Sequence, residues 1–144
     1  MTAYMNETAP AGLVLRGSRN VFTVSTGEKE IECRIKGKIL KSVNGYYNPL
    51  APGDLVIIED GQIIGVESRR NEFVRYNQKG RSPQLLASNV DLIICVTSIS
   101  SPPFRPRFID RLLLQAEAAG IPAAIVCNKY DLAGEETFAE ADIE

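Results

Sequence analysis

Histidine is absent from all 144 residues, which removes the commonest zinc ligand and the commonest general base. Cysteine is scarce: Cys33, Cys95 and Cys127 stand far apart with no CxxC pair, so these residues are not expected to build a zinc site. An odd, scattered set on strand-like apolar segments reads as three reduced core thiols of a cytosolic protein. No apolar run approaches the roughly 18 residues of a membrane helix. The opening MTAYMNETAP lacks both the basic start and the apolar run of a secretory signal. A cytoplasmic protein with no membrane partner is therefore expected. Also missing is any phosphate-cradling GxxxxGK[ST] loop, because Gly37-Lys38 has neither the earlier glycine nor the following hydroxyl.

What is present divides the chain. The composition, 44% hydrophobic and 24% charged, is that of a folded domain or two small ones. The net charge of −2 conceals an asymmetry: residues 12–89 carry twelve basic and eight acidic side chains, whereas residues 90–144 carry four and nine. A basic part joined to an acidic part suggests two domains, with any phosphate-backbone partner meeting the first. Residues 1–11 read as a flexible N-terminus, and the break falls near Ala87 to Asn89.

Residues 12–70 alternate short β-rich runs with turn residues. Gly12 to Leu15 leads to Val21-Phe22-Thr23-Val24 across Gly17 to Asn20, a bulge or a hairpin. In Ile31-Glu32-Cys33-Arg34-Ile35 the period of two buries one face and leaves Glu32 and Arg34 in water. Leu55 to Ile58 and Gln62 to Val66 flank Asp60-Gly61, a strong hairpin signal. Short antiparallel strands of this kind close into a small barrel, which removes exposed edges. The pattern predicts an all-β OB-type barrel, with an SH3-like barrel as the alternative.

Residues 71–89 are read as a basic linker, and the stretch from Arg69 to Arg81 is rich in cations. Arg69, Arg70, Arg75, Lys79 and Arg81 could contact phosphates, while Phe73 and Tyr76 could stack on unpaired bases. The competing reading is a solvated linker whose aromatics dock on the barrel. Arg34, Lys36, Lys38 and Lys41 supply a second basic group and tilt the balance towards RNA.

Residues 90–144 change character. Val90 to Val96 is a nearly continuous apolar run, as expected of a strand buried on both faces of a parallel sheet. After a proline-rich turn, residues 107–119 place Phe108, Ile109, Leu112, Leu113 and Ala116 at helical spacing, and Gly120 ends the helix. Ala123 to Cys127 is a second strand, completing a βαβ unit of an α/β domain. Directly after it stands Asn128-Lys129-Tyr130-Asp131, where open α/β sheets place their ligands. Asp131 can accept two hydrogen bonds from the N1–H and amine of guanine, a donor pair that adenine lacks. Asn128 can bond the base edge or tie loops, and Lys129 can lay its methylene stem along the base. An ordinary polar loop is the plain alternative. Asp131 to Gly134 also matches DxxG, but it overlaps the guanine motif and is discounted. Thr137 and Glu140 are spaced as the capping box of a further helix.

Taken together, Glu32-Cys33-Arg34 with the following Gly37-Lys38, Pro52-Gly53-Asp54-Leu55-Val56, Arg69 to Phe73, Ala87 to Asp91, Asp110 to Leu113, Ala116 to Gly120 and Asn128 to Leu132 resemble one family. It is that of the ribosome small-subunit-dependent GTPases, the RsgA or YjeQ family. The resemblance implies an N-terminal OB barrel, a circularly permuted Rossmann-like P-loop GTPase domain and a C-terminal zinc domain. It implies GTP and Mg2+ as ligands, and the small ribosomal subunit with its rRNA as partner during late maturation. The chain stops before the phosphate loop, the switch segments and the zinc domain of that family. A truncated GTPase domain is thus expected over 90–144, with no catalytic residue in this chain and zinc only in the missing part. An exposed sheet edge could then support self-association. The alternative is a non-enzymatic RNA-binding barrel with a vestigial or dimerising βαβ appendage.

Overall fold

The computed structural model describes residues 11–18, 20–37, 45–99 and 101–132. Lys38, Lys41, Gly134, Thr137, Glu140 and the expected flexible N-terminus lie outside them, Ala11 apart. Two compact units meet in sequence between Val90 and Asp91.

The first unit is built on a closed five-stranded barrel of β1 (Ala11–Ser18), β2 (Val21–Ser25), β3 (Glu30–Ile35), β4 (Leu55–Glu59) and β5 (Gln62–Val66). The strand order is β1-β2-β3-β5-β4, closed by antiparallel pairing of β1 with β4 and parallel pairing of β3 with β5. This is the OB-type barrel. β1 and β2 pair as a hairpin, and the register shift lies between Val14 and Arg16, within β1 and ahead of the Gly17 to Asn20 stretch where the bulge was expected. Asp60 and Gly61 both take positive φ, 49° and 71°, the twist of a tight two-residue hairpin.

Alternation decides the core. Phe22 and Val24 of β2, Cys33 of β3, Val56 and Ile58 of β4 and Ile63 of β5 point inward with Val14 and Leu50, while Glu32 and Arg34 face out. Each such buried aliphatic or aromatic side chain contributes about 1.5–3 kcal/mol.

Residues 72–88, read as linker, are a second β-structure: β6 (Glu72–Asn77) pairs antiparallel with β7 (Ser82–Ser88). The linker reading is corrected on that stretch. Hydrogen bonds to the chain before β4 hold this hairpin in the barrel's unit. The Asn48 side chain donates to the carbonyls of Leu50 and Leu85, both at 2.9 Å, and accepts the Leu85 amide at 3.1 Å. Tyr47 N–H donates to Pro83 O at 2.7 Å and Ser88 N–H to Pro52 O at 2.9 Å. Gly53, at φ +94°, lies so close to Ser88 that a Cβ would sit 1.9 Å from the Ser88 carbonyl oxygen.

The second unit contains β8 (Ile93–Ser98), α1 (Pro106–Ala118), β9 (Ala123–Asn128) and a 3-10 turn at Tyr130–Leu132. β8 and β9 are parallel and in register from Ile93↔Ala123 to Ser98↔Asn128, giving the expected βαβ unit. The helix begins one residue earlier than its apolar spacing predicts, with Pro106 in the first turn where no amide partner is needed. It ends in a Schellman motif: Ile121 N–H reaches Ala116 O, Gly120 N–H reaches Glu117 O, and Gly120 takes φ +65°.

Three burial expectations are corrected here. β8 is not buried on both faces: Ile93 and Cys95 are covered, but Ile94 and Val96 are 56% and 62% exposed, because α1 packs against one side. On α1, Ile109 and Ala116 are buried and Leu112 half-buried, whereas Phe108 and Leu113 are exposed. Cys33 and Cys95 are core thiols, but Cys127 is exposed.

Candidate functional site

The loop after β9 is shaped by its own side chains. Asn128 ends the strand, and its Oδ1 accepts the backbone N–H of Lys129 at 2.8 Å. Lys129 adopts φ +60°, an uncommon conformation for a side chain of this size, and so turns the chain sharply out of the sheet. Its carbonyl accepts the Leu132 amide at 3.1 Å, closing the 3-10 turn that carries Asp131. The Lys129 Nζ donates to the carbonyl of Ser101 at 2.6 Å, and Ser98 Oγ donates to the same oxygen at 3.1 Å. Asn128, Lys129 and Asp131 are thus brought together at the carboxyl end of the parallel pair, all exposed. The Asp131 carboxylate has no hydrogen-bond or ion-pair partner among the described residues, and it can accept from a ligand.

The basic residues of the first unit are placed unequally. Arg34 is exposed on β3, and Lys36 forms an exposed pair with Glu59 at 3.6 Å. Both line a shallow groove of about 490 Å³ with Glu32, Asp60 and Gln62. Arg70 is exposed, yet its backbone N–H and its guanidinium both bond to Asn89, at 2.7 and 2.9 Å. Phe73 is half-buried, while Tyr76 is 65% exposed. Arg75, Lys79 and Arg81 are exposed on the hairpin and its tip, Arg75 leaning on Gln84.

Arg69 is different. Its side chain is only 9% exposed and that of Asp54 is fully buried; they form a forked pair, Nε to Oδ1 at 2.7 Å and Nη2 to Oδ2 at 2.9 Å. Arg69 also donates to Glu72 and to the Pro49 carbonyl, both at 2.9 Å, and stacks over Tyr46. Tyr46 hydroxyl donates to Glu72, and Ser88 Oγ donates to Asp54 Oδ1 at 2.6 Å. Burial works against both ions. It tends to lower the Arg69 pKa and raise that of Glu72, but the mutual hydrogen bonds and charges win: Arg69 is held above its ordinary value and Glu72 below it. Tyr46 is pushed up, chiefly by its hydrogen bond to Glu72. Arg69 is therefore committed within the protein, which removes it from the set of cations that can meet a phosphate. Sequence reading missed this cluster, because Pro52-Gly53-Asp54 signals only a turn and nothing local pairs Asp54 with a residue fifteen positions on.

The sequence model of one family, RsgA GTPase, matches residues 66–144, more than half of the chain. The chain belongs to the RsgA GTPase family. Two relatives, each named small ribosomal subunit biogenesis GTPase RsgA, illustrate the likeness. That of Chlorobaculum parvum is 36% identical over 155 residues, covering 97% of this chain and 49% of its own. That of Borrelia recurrentis is 40% identical over 125 residues, covering 82% and 40%. Among solved structures, YjeQ from Thermotoga maritima superposes with a TM-score of 0.64 at 28% identity, covering 90% of this chain and 45% of that one. YloQ, described as a circularly permuted GTPase, gives 0.61 at 26% identity, covering 96% and 47%. The chain thus spans less than half the length of these relatives.

Proposed function

We propose that this chain carries the guanine-reading part of a GTPase that acts on the small ribosomal subunit during its late maturation, in the cytoplasm. One observation carries the reading: in a member of the RsgA GTPase family, Asn128, Lys129 and Asp131 converge on one turn at the carboxyl end of a parallel strand pair. Asp131 accepts from the N1–H and amine of guanine, Lys129 lays its stem on the base, and Asn128 fixes the turn through its bond to the Lys129 amide. Exposed Arg34, Lys36, Arg70, Arg75, Lys79 and Arg81, with Tyr76, supply contacts to rRNA. GTP and magnesium are the ligands of the complete enzyme. Among the described residues, no group of three His, Cys, Asp or Glu side chains could hold a metal ion, so magnesium and the phosphates are assigned no residue here. These 144 residues alone are inactive in hydrolysis, since they include no GxxxxGK[ST] loop.

Equilibrium binding of fluorescent GDP, with unlabelled GDP, ADP and XDP as competitors, tests the base reading. The expected result is preference for GDP over ADP. Asp131→Asn weakens GDP binding by about 10- to 100-fold, the worth of hydrogen bonds to a charged group. The same change strengthens XDP binding, because an amide can donate to the xanthine C2 carbonyl where a carboxylate cannot. Equal affinity for GDP and ADP, or GTP hydrolysis by the 144 residues above a buffer control, would contradict the proposal.

A further inference from the structure

We propose that Ser98 is a positioning residue for the guanine-reading loop, acting on Lys129 through the carbonyl of Ser101. The inference rests on the reading of Asn128 to Asp131 given above and identifies what holds that site in shape. The Ser101 oxygen accepts two hydrogen bonds, one from Lys129 Nζ at 2.6 Å and one from Ser98 Oγ at 3.1 Å. A carbonyl has two lone pairs, and these two donors use both. They differ in freedom. Lys129 is exposed and reaches Ser101 along a flexible four-carbon stem, and Ser101 itself lies in the connection between β8 and α1. Ser98 is only 6% exposed, belongs to β8, and stands directly opposite Asn128 in the parallel register. The fixed point of the trio is therefore the serine in the sheet. Its hydroxyl sets the Ser101 carbonyl, the carbonyl pins the ammonium, and the pinned ammonium holds the methylene stem in one arrangement before a base arrives. That pre-ordering spares the complex the entropy of fixing a lysine side chain.

Ser98 touches no ligand in this scheme, so its effect must pass through Lys129, and a double-mutant cycle tests the coupling. Fluorescent GDP is titrated into the wild-type protein and into Ser98→Ala, Ser98→Thr, Lys129→Ala and the Ser98→Ala/Lys129→Ala pair, with ADP as competitor. Loss of one net hydrogen bond corresponds to about 2- to 10-fold weaker binding for Ser98→Ala, with an unchanged number of sites and faster dissociation. Ser98→Thr keeps the hydroxyl and binds as the wild type does. In the Lys129→Ala background, removing the Ser98 hydroxyl has no additional effect. Additive losses in the pair, wild-type affinity for Ser98→Ala, or fewer sites at unchanged affinity would each overturn the role of Ser98. A wild-type protein that does not prefer GDP to ADP defeats the guanine reading itself. Wild-type preference for GDP with an indifferent Ser98→Ala defeats only the positioning role.

Discussion

At the scale of single residues, Asp54 and Arg69 show how a polar group can be made indispensable by its surroundings. Asp54 is fully buried and accepts from Arg69, Ser88 and the Ala51 amide, the last at 2.9 Å. Removing one member of such a buried pair leaves the other charge without compensation, at a cost of about 3–5 kcal/mol. Arg69→Met is accordingly expected to lower stability by that amount in urea unfolding followed by circular dichroism. Arg69→Lys recovers little, since an ammonium cannot reproduce the forked contact with both Asp54 oxygens. Legibility in sequence was uneven at this scale. Asn128, Lys129 and Asp131 can be proposed from sequence because their chemistry and spacing lie within four consecutive residues, and the fold brings them onto one turn. Arg69 is misread because its burial depends on Asp54, Tyr46 and Glu72, whose proximity only the fold creates.

At the scale of elements, the barrel strands were legible because alternation is a local property: Phe22 and Val24 inward, Glu32 and Arg34 outward, follow from a period of two. The β6–β7 hairpin was not, since five cations between Arg69 and Arg81 look like solvated linker until Asn48, Tyr47 and Gly53 are seen to hold the paired strands. β8 fails in the opposite sense, for Ile94 and Val96 read as buried although α1 covers only one side. The hairpin's attachment predicts a pH dependence. Glu72 has its pKa lowered in the folded state from an ordinary 4.5, so its contribution is fully present above that value and is lost as pH falls through the lower folded one. Tyr46 has its pKa raised from 10.0, so its contribution is present below that value and is lost as pH rises through the higher folded one. Urea midpoints measured against pH should show both limbs. Glu72→Gln should flatten the acid limb and Tyr46→Phe the alkaline one; an acid limb unchanged in Glu72→Gln would remove Glu72 from the account.

At the scale of the whole molecule, charge is segregated: the unit holding the barrel and hairpin is basic and residues 90–144 are acidic. Under the RNA reading, replacing Arg75, Lys79 and Arg81 by alanine should weaken binding to the small subunit. It should also reduce the slope of log affinity against log salt by about one for each phosphate that is no longer neutralised. An unaltered slope would mean that these cations serve only the hairpin's solubility. Among the described residues, no helix is long and apolar enough to cross a membrane. Finally, the three thiols are unequal: Cys33 and Cys95 are shielded, and burial pushes the Cys33 thiol up, while Cys127 is open immediately before Asn128. Among these 144 residues a maleimide fluorophore is therefore expected to attach at Cys127, beside the turn proposed to read the base, which gives that turn an optical address without an added cysteine.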